Sequence, residues 1–262
     1  MASGAPALEV VDLFNRLVRT APAETEAIAR AEWRLRALAR ARPNDTGVEV
    51  ALVYALMLGG KAKDAVQLAE RLWYQRNAMP IEQTETFLFE ITHLGMYEKG
   101  AELLKEVRAD SRSTTDTNLT AIAVNIAWGL GQFDTLYEEI GAAPPAIWGG
   151  WADFLNELKA LGLANHLLGR QKLLNKNVFT KQCLSQLILT PGAARPLELT
   201  HYIYINAPYE ERVSLEDNIH TQVDRFFQNF GLSEVHWDCA NELVVPVTAA
   251  PPWHKDFFVK AA

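Results

Sequence analysis

The sequence predicts an α+β protein in which an N-terminal α-solenoid of helical hairpins precedes a small strand-helix-strand-strand domain. Three observations predict it. Leu58-Gly59-Gly60-Lys61-Ala62 returns as Leu94-Gly95-Met96-Tyr97 and again as Leu130-Gly131-Gln132-Phe133, and Gly60, Gly95 and Gly131 stand 35 and 36 residues apart, a period at which two-helix units repeat. Apolar residues flank each glycine at helical spacing. Beyond residue 197 that pattern gives way to side-chain alternation and a single capped apolar helix. Residues 1–143 are therefore read as helical repeats, 144–196 as an elbow with additional basic helices, and 197–262 as a small α/β domain.

The first repeat elements follow from local chemistry. A helix over 28–42 is closed by Pro43, which cannot continue it. Its arginines Arg30, Arg34, Arg36, Arg40 and Arg42 lie beside Glu26 and Glu32 and read as a solvated face. Val50, Val53, Tyr54 and Met57 form an apolar stripe before Gly60, and Ala65, Leu68, Ala69 and Leu72 form another after it. The chain must turn sharply between them, and glycine reaches the backbone angles required. One hairpin cannot bury both stripes, so neighbouring hairpins must stack. Tyr97 and Phe133 stand at equal offsets from their glycines and are expected to pack between units.

These features resemble tetratricopeptide repeats over about residues 24–142. In that family a small residue closes the first helix, an Ala follows inside the second, and a Pro often ends the unit; Gly60, Ala65 and Pro80 stand in that order here. The family's Trp-x-x-Leu-Gly opening is absent, and Gly100 replaces the Ala of the next unit. The resemblance implies a surface that holds a protein or peptide partner, without naming it.

Past Ile140 the run from Gly141 through Pro144, Pro145, Trp148, Gly149, Gly150 and Trp151 is too rich in Pro and Gly to continue a helix and marks an elbow. Trp148 and Trp151 either anchor a partner or plug the junction between the repeats and the next segment. Residues 151–190 read as further helices. Between 158 and 196 lie Lys159, Arg170, Lys172, Lys176, Lys181 and Arg195 without a single acid, whereas from 197 onward ten acids face four bases. The basic stretch could hold phosphates or an acidic peptide, or face the acidic C-terminal domain of its own chain. The net charge of −7 and pI of 5.4 weigh against general affinity for nucleic acid.

In the C-terminal part, residues 201–206 alternate Tyr202 and Tyr204 with Ile203 and Ile205, a strand. Ser214 through Asp217 has the spacing of a helix cap. Ile219, Val223, Phe226, Phe227 and Phe230 give that helix one apolar face, and Gly231 ends it. Residues 234–238 and 243–247 read as a hairpin turning through Cys239, Ala240 and Asn241, with Pro246 placing the last strand on an edge, where an extended peptide could add.

Composition bounds the function. The 262 residues are 49% hydrophobic, which excludes a largely disordered chain. No apolar run reaches membrane-spanning length, the first six residues carry neither a basic leader nor a signal core, and the two cysteines form no framework. Soluble, cytoplasmic residence is expected. His236, Asp238 and His254 are the one weak outline of a metal site; their spacing is short for it, and neither metal nor cofactor is expected. No nucleophile elbow or phosphate-cradling loop occurs. The chain is read as a non-catalytic adaptor for a protein or peptide partner, with Trp148, Trp151, Arg170, Lys172, Lys176 and Lys181 as the partner-binding candidates and no membrane contact. The alternative is an accessory subunit of an enzyme or nucleic-acid-handling complex that uses the basic segment 159–195.

Overall fold

The computed structural model describes residues 8–109, 117–160, 162–163, 182–190, 198–231 and 240–250. Helices predominate and a three-stranded sheet completes an α+β fold. The helices are α1 (Leu8–Leu17), α2 (Thr25–Ala41), α3 (Thr46–Leu58), α4 (Ala62–Trp73), α5 (Ile81–His93), α6 (Tyr97–Ala109), α7 (Thr117–Leu130), α8 (Phe133–Ala142), α9 (Pro145–Ala160) and α10 (Tyr209–Gln228). The strands are β1 (Gln182–Thr190), β2 (Glu198–Ile205) and β3 (Ala240–Pro246).

The three glycine phrases end three helices in the same way. Gly60, Gly95 and Gly131 have φ of 70°, 74° and 63°. In each case the next residue donates back across the turn: Lys61 N to Leu56 O, Met96 N to Ile91 O, and Gln132 N to Ala127 O. This is the left-handed glycine cap with its longer 6→1 hydrogen bond. It turns α3 into α4, α5 into α6 and α7 into α8.

The first helices α1, α3, α5 and α7 pack on one another in succession, and ion pairs join the second helices. Arg36 on α2 reaches Asp64 on α4, Lys99 on α6 reaches Glu70 on α4, and Arg108 on α6 makes a bidentate pair with Glu139 on α8 at 2.6 and 2.7 Å. Exposed pairs of this kind contribute about 0.2–1 kcal/mol each, so they fix the order of the helices more than they stabilise it.

Helix α3 departs from the amphipathic expectation, since every residue from 47 to 58 is buried. Its sequence is apolar on all sides, the composition of a helix with no solvent face. It touches α1, α2, α4, α5 and β1. The first core gathers around it and takes in Leu184, Tyr204 and Val247 from the C-terminal part. The second core joins α7, α8 and α9 to the opposite face of the sheet, through Leu189, Leu199, Ile203 and Val244, and to Ile219, Val223 and Phe227 of α10.

The sheet corrects three expectations. Residues 182–190 form strand β1, antiparallel to β2, where the sequence predicts helix. With Leu184 and Ile188 on one face and Leu187 and Leu189 on the other, β1 is apolar on both sides, so it shows no period of two. Among the described residues the order is strand, strand, helix, strand. Strand β3 begins on Ala240 and Asn241, the residues assigned to a hairpin turn, and runs parallel to β2, with Leu199 opposite Ala240 and Ile205 opposite Pro246; residues 234–238 lie outside the described residues. In the described sheet β3 occupies an edge, as Pro246 implies.

Two helix boundaries also move. Helix α10 starts at Tyr209 behind Pro208, five residues before Ser214, with Glu210 and Glu211 in its first turn. The elbow is only the Ala143-Pro144 step: Pro145 opens α9, which runs through Gly149 and Gly150. Proline at a helix start loses no bond it would otherwise make.

The sheet meets the first hairpin turn closely. A Cβ on Gly60 would stand 2.6 Å from Asn206 Cβ and 3.1 Å from Val247, whereas one on Gly231, at φ +69°, would meet nothing within 4 Å. Gly231→Ala should cost only the left-handed backbone strain of about 1–2 kcal/mol. Gly60→Ala should cost a further ~1–3 kcal/mol for the clash, and Asn206→Gly should recover that extra loss. Denaturant unfolding of the three variants measures it.

Candidate functional site

Two polar arrangements stand out, one inside and one on the surface. The inner one lies along α5, where Thr86, Phe89, Glu90 and His93 share a stripe at i, i+3, i+4 and i+7 spacing. Phe14 of α1, Tyr54 of α3, Phe89 and His93 form a relay of rings at centroid distances of 5.3, 6.3 and 4.2 Å. The His93 Nδ1 donates to the Phe89 carbonyl at 2.7 Å. Burial pushes the imidazole down to about 4, against the pull of that carbonyl, so the ring is neutral. The Glu90 carboxyl is fully buried and neither oxygen has a hydrogen-bond partner. Burial raises its pKa well above the ordinary range, and its proximity adds to the upward shift that burial imposes on the Tyr54 hydroxyl.

Phe14, Tyr54 and Phe89 of the relay belong to the same core as Leu184, Tyr202 and Tyr204 of the sheet. Strand β1 packs on both α3 and α5, and the face of the sheet carrying Leu184, Gln186, Tyr202, Tyr204 and Val245 joins the first core. Tyr204 donates its hydroxyl to Gln186 Oε1 at 3.1 Å inside that interface. The chain's own sheet therefore occupies part of the surface of α3 and α5.

The surface arrangement is a cleft of about 450 Å³ between α2, α3 and α4, lined by Arg36, Ala39, Arg40, Pro43, Asn44, Glu49, Leu52 and Arg71. Local sequence builds it. Arg36, Ala39, Arg40 and Pro43 fall on one face of α2 and its exit. Asn44 takes φ 69° to redirect the chain, a conformation asparagine tolerates better than most residues. Asp45 then caps α3 through the Val48 amide, which sets Glu49 and Leu52 in the floor of the cleft.

Charge in the cleft is uneven. Arg71 Nη2 holds Glu49 Oε1 at 2.7 Å, while Glu49 Oε2 is buried without a partner. Arg36 is tied to Glu32 at 2.9 Å and to Asp64 at 3.2 Å. Burial alone would raise the Glu32 pKa, but hydrogen bonds from Lys61 and Arg36 overcome it and hold the carboxylate ionised, with a lowered pKa. Arg40 makes no salt bridge among the described residues. Three guanidinium groups thus line an opening that contains one acid. A larger hollow beside Asp217, Thr221, Arg225 and Asn229 is lined, among the described residues, by α10 and its C-terminal end and carries both signs of charge.

The candidate residues that the sequence offers lie elsewhere. Trp148 and Trp151 are 2% and 7% exposed and pack on each other and on Phe154 in the second core, with ring centroids 6.4 and 6.3 Å apart. Both rings are buried in the second core with residues of α7, α8 and α9. Lys159, at the start of the basic segment, stands over the Tyr137 ring at 5.0 Å. Arg170, Lys172, Lys176 and Lys181 lie outside the described residues, as do His236, Asp238 and His254. Among the described residues no group of three or more His, Cys, Asp or Glu is placed to hold a metal, and no helix is long and apolar enough to cross a membrane.

The arginines of the cleft are visible in the sequence but have the spacing of a solvated helix face. The missing signal is Arg71, 31 positions beyond Arg40, which only the α3–α4 hairpin brings alongside. Comparison with protein-family models, with curated proteins and with solved structures gives no match for this chain.

Arg71 and Arg40 separate support of the cleft from its free charge. Arg71→Met strands the Glu49 carboxylate, whose side chain is 8% exposed, and should lower stability by ~1–2 kcal/mol. Arg40→Met should change it by less than ~0.5 kcal/mol. Equilibrium urea unfolding distinguishes the two.

Proposed function

We propose that this protein is a cytoplasmic, non-catalytic adaptor built on a tetratricopeptide-like solenoid, and that it binds an acidic segment of a partner protein in the arginine cleft on its outer helices. The cleft itself carries the reading, with Arg36, Arg40 and Arg71 around one acid. The repeat assignment draws support from the three matching glycine caps and from the successive packing of α1, α3, α5 and α7.

Magnitudes set the kind of partner. Arg36 and Arg71 are already paired within the chain and Arg40 makes no salt bridge among the described residues, so new exposed ion pairs at about 0.2–1 kcal/mol each fall well short of the roughly 8 kcal/mol of a micromolar complex. The partner must therefore also cover apolar surface, and Ala39 and Pro43 supply it beside the charges. Guanidinium groups suit this task because their planar forks match carboxylates two bonds at a time. An acidic peptide of a dozen residues carrying a few apolar side chains fits both requirements.

Fluorescence anisotropy with such a labelled peptide tests the proposal. The intact protein should bind it, lose affinity as salt rises, and ignore a lysine-rich peptide of equal length. Arg40→Glu should weaken binding at least about tenfold, the effect of about 1.4 kcal/mol, with unchanged stability. No binding at low salt, or equal binding by Arg40→Glu, would rule the cleft out as the binding site.

A further inference from the structure

We infer that Glu90 makes the seating of the C-terminal sheet on α3 and α5 dependent on pH, so that raising the pH loosens β1–β3 from the helices while the helical stack stays folded. The geometry is that of a carboxyl group without a hydrogen-bond partner among the described residues, fully buried, in a helix that strand β1 contacts. A neutral carboxyl tolerates such a place at modest cost, but an ionised one does not, since nothing there replaces water.

Among the described residues, the elements packed on α5 offer Glu90 no compensating charge. Helix α7 has no ionisable residue between 117 and 130, and β1 has only Cys183. From α3, Tyr54 is the neighbouring titratable group and Glu49 is tied to Arg71. On α4 and α6, Asp64, Glu70, Lys99, Glu102, Glu106 and Arg108 are held in ion pairs. Lys63, Glu98 and Lys105 are exposed, and the Tyr97 ring packs at Gly129 of α7. On α5 itself His93 is neutral, and Glu82 and Glu85 stand more than a turn from the carboxyl. Tyr202 and Tyr204 are the titratable groups on the docking face of the sheet.

The sign follows from linkage. A carboxyl whose pKa is higher in the closed form than the ordinary 4.5 holds its proton there and releases it on opening. Closure is therefore at full strength below about pH 4.5 and weakens as pH rises toward the raised value, by up to about tenfold in the opening constant per pH unit. The contact of the sheet with α3 and α5 is the one that opens, because the helices are tied to one another by short turns and successive ion pairs, whereas that contact is side-chain packing alone and the sheet keeps its second core on the opposite face.

Amide hydrogen exchange on the full chain between pH 5 and 8, corrected for intrinsic rates, reads this directly. Amides of residues 184–189 should lose protection by up to about tenfold per pH unit while those of 48–58 keep theirs. In Glu90→Gln the loss over the whole range should stay under about twofold, and Glu90→Leu provides the same reading if the amide is poorly accommodated. A flat profile in the natural protein, an unchanged slope in both variants, or parallel loss of protection in α3 would each overturn the inference.

Discussion

Helix α3 has no side turned to water, and the rest of the structure depends on closing every one of its faces. Four helices contact it: α2 and α4, its neighbours in sequence, and α1 and α5 beyond them. The remaining side would expose apolar residues of α3 and the ring relay from Phe14 to His93. The C-terminal sheet supplies that cover, bringing Leu184, Tyr204 and Val247 into the same core. Large apolar patches left open to water drive association, so the helical array and the sheet unit form a single structural problem with a single solution.

That arrangement is only half legible in the sequence. The glycine phrases announce the turns because a left-handed cap needs glycine, and all three caps stand at the announced positions. Apolar spacing announces the helices around them. Strand β1 is hidden because a strand covered on both faces loses the alternation that betrays strands, and it sits beside a run of lysines that invites a helical reading. The start of α10 is misplaced because Ser214 through Asp217 imitates a cap inside a helix that Pro208 has already opened. The tryptophans at 148 and 151 are ambiguous for a simpler reason: an indole ring that anchors an interface and one that fills a junction look identical until their neighbours are known.

The consequence for function is a transfer of interest from the inner face to the outer one. The sheet packs on α3 and α5 and so takes up part of the surface these helices would otherwise offer. The outer layer is laced with compensated charge, including Glu32 between Lys61 and Arg36 and the Arg108–Glu139 pair. Against that background the cleft is distinguished by Arg40, which makes no salt bridge among the described residues beside the paired Arg36 and Arg71, in a protein whose overall charge is −7. Overall acidity repels most acidic chains at a distance, so a local basic site favours a partner that fits it over one that is merely charged.

Seating of the sheet on the inner helical face is the claim on which these points converge, and hydroxyl-radical footprinting of the tyrosines tests it most directly. Tyr54 and Tyr204 are each 4% exposed, while Tyr74 and Tyr209 are 83% and 67% exposed. With the sheet in place, oxidation should fall heavily on Tyr74 and Tyr209 and spare Tyr54 and Tyr204 together. Oxidation of Tyr204 and Tyr54 at rates comparable to Tyr74 in the folded protein would show the inner face open and contradict the account.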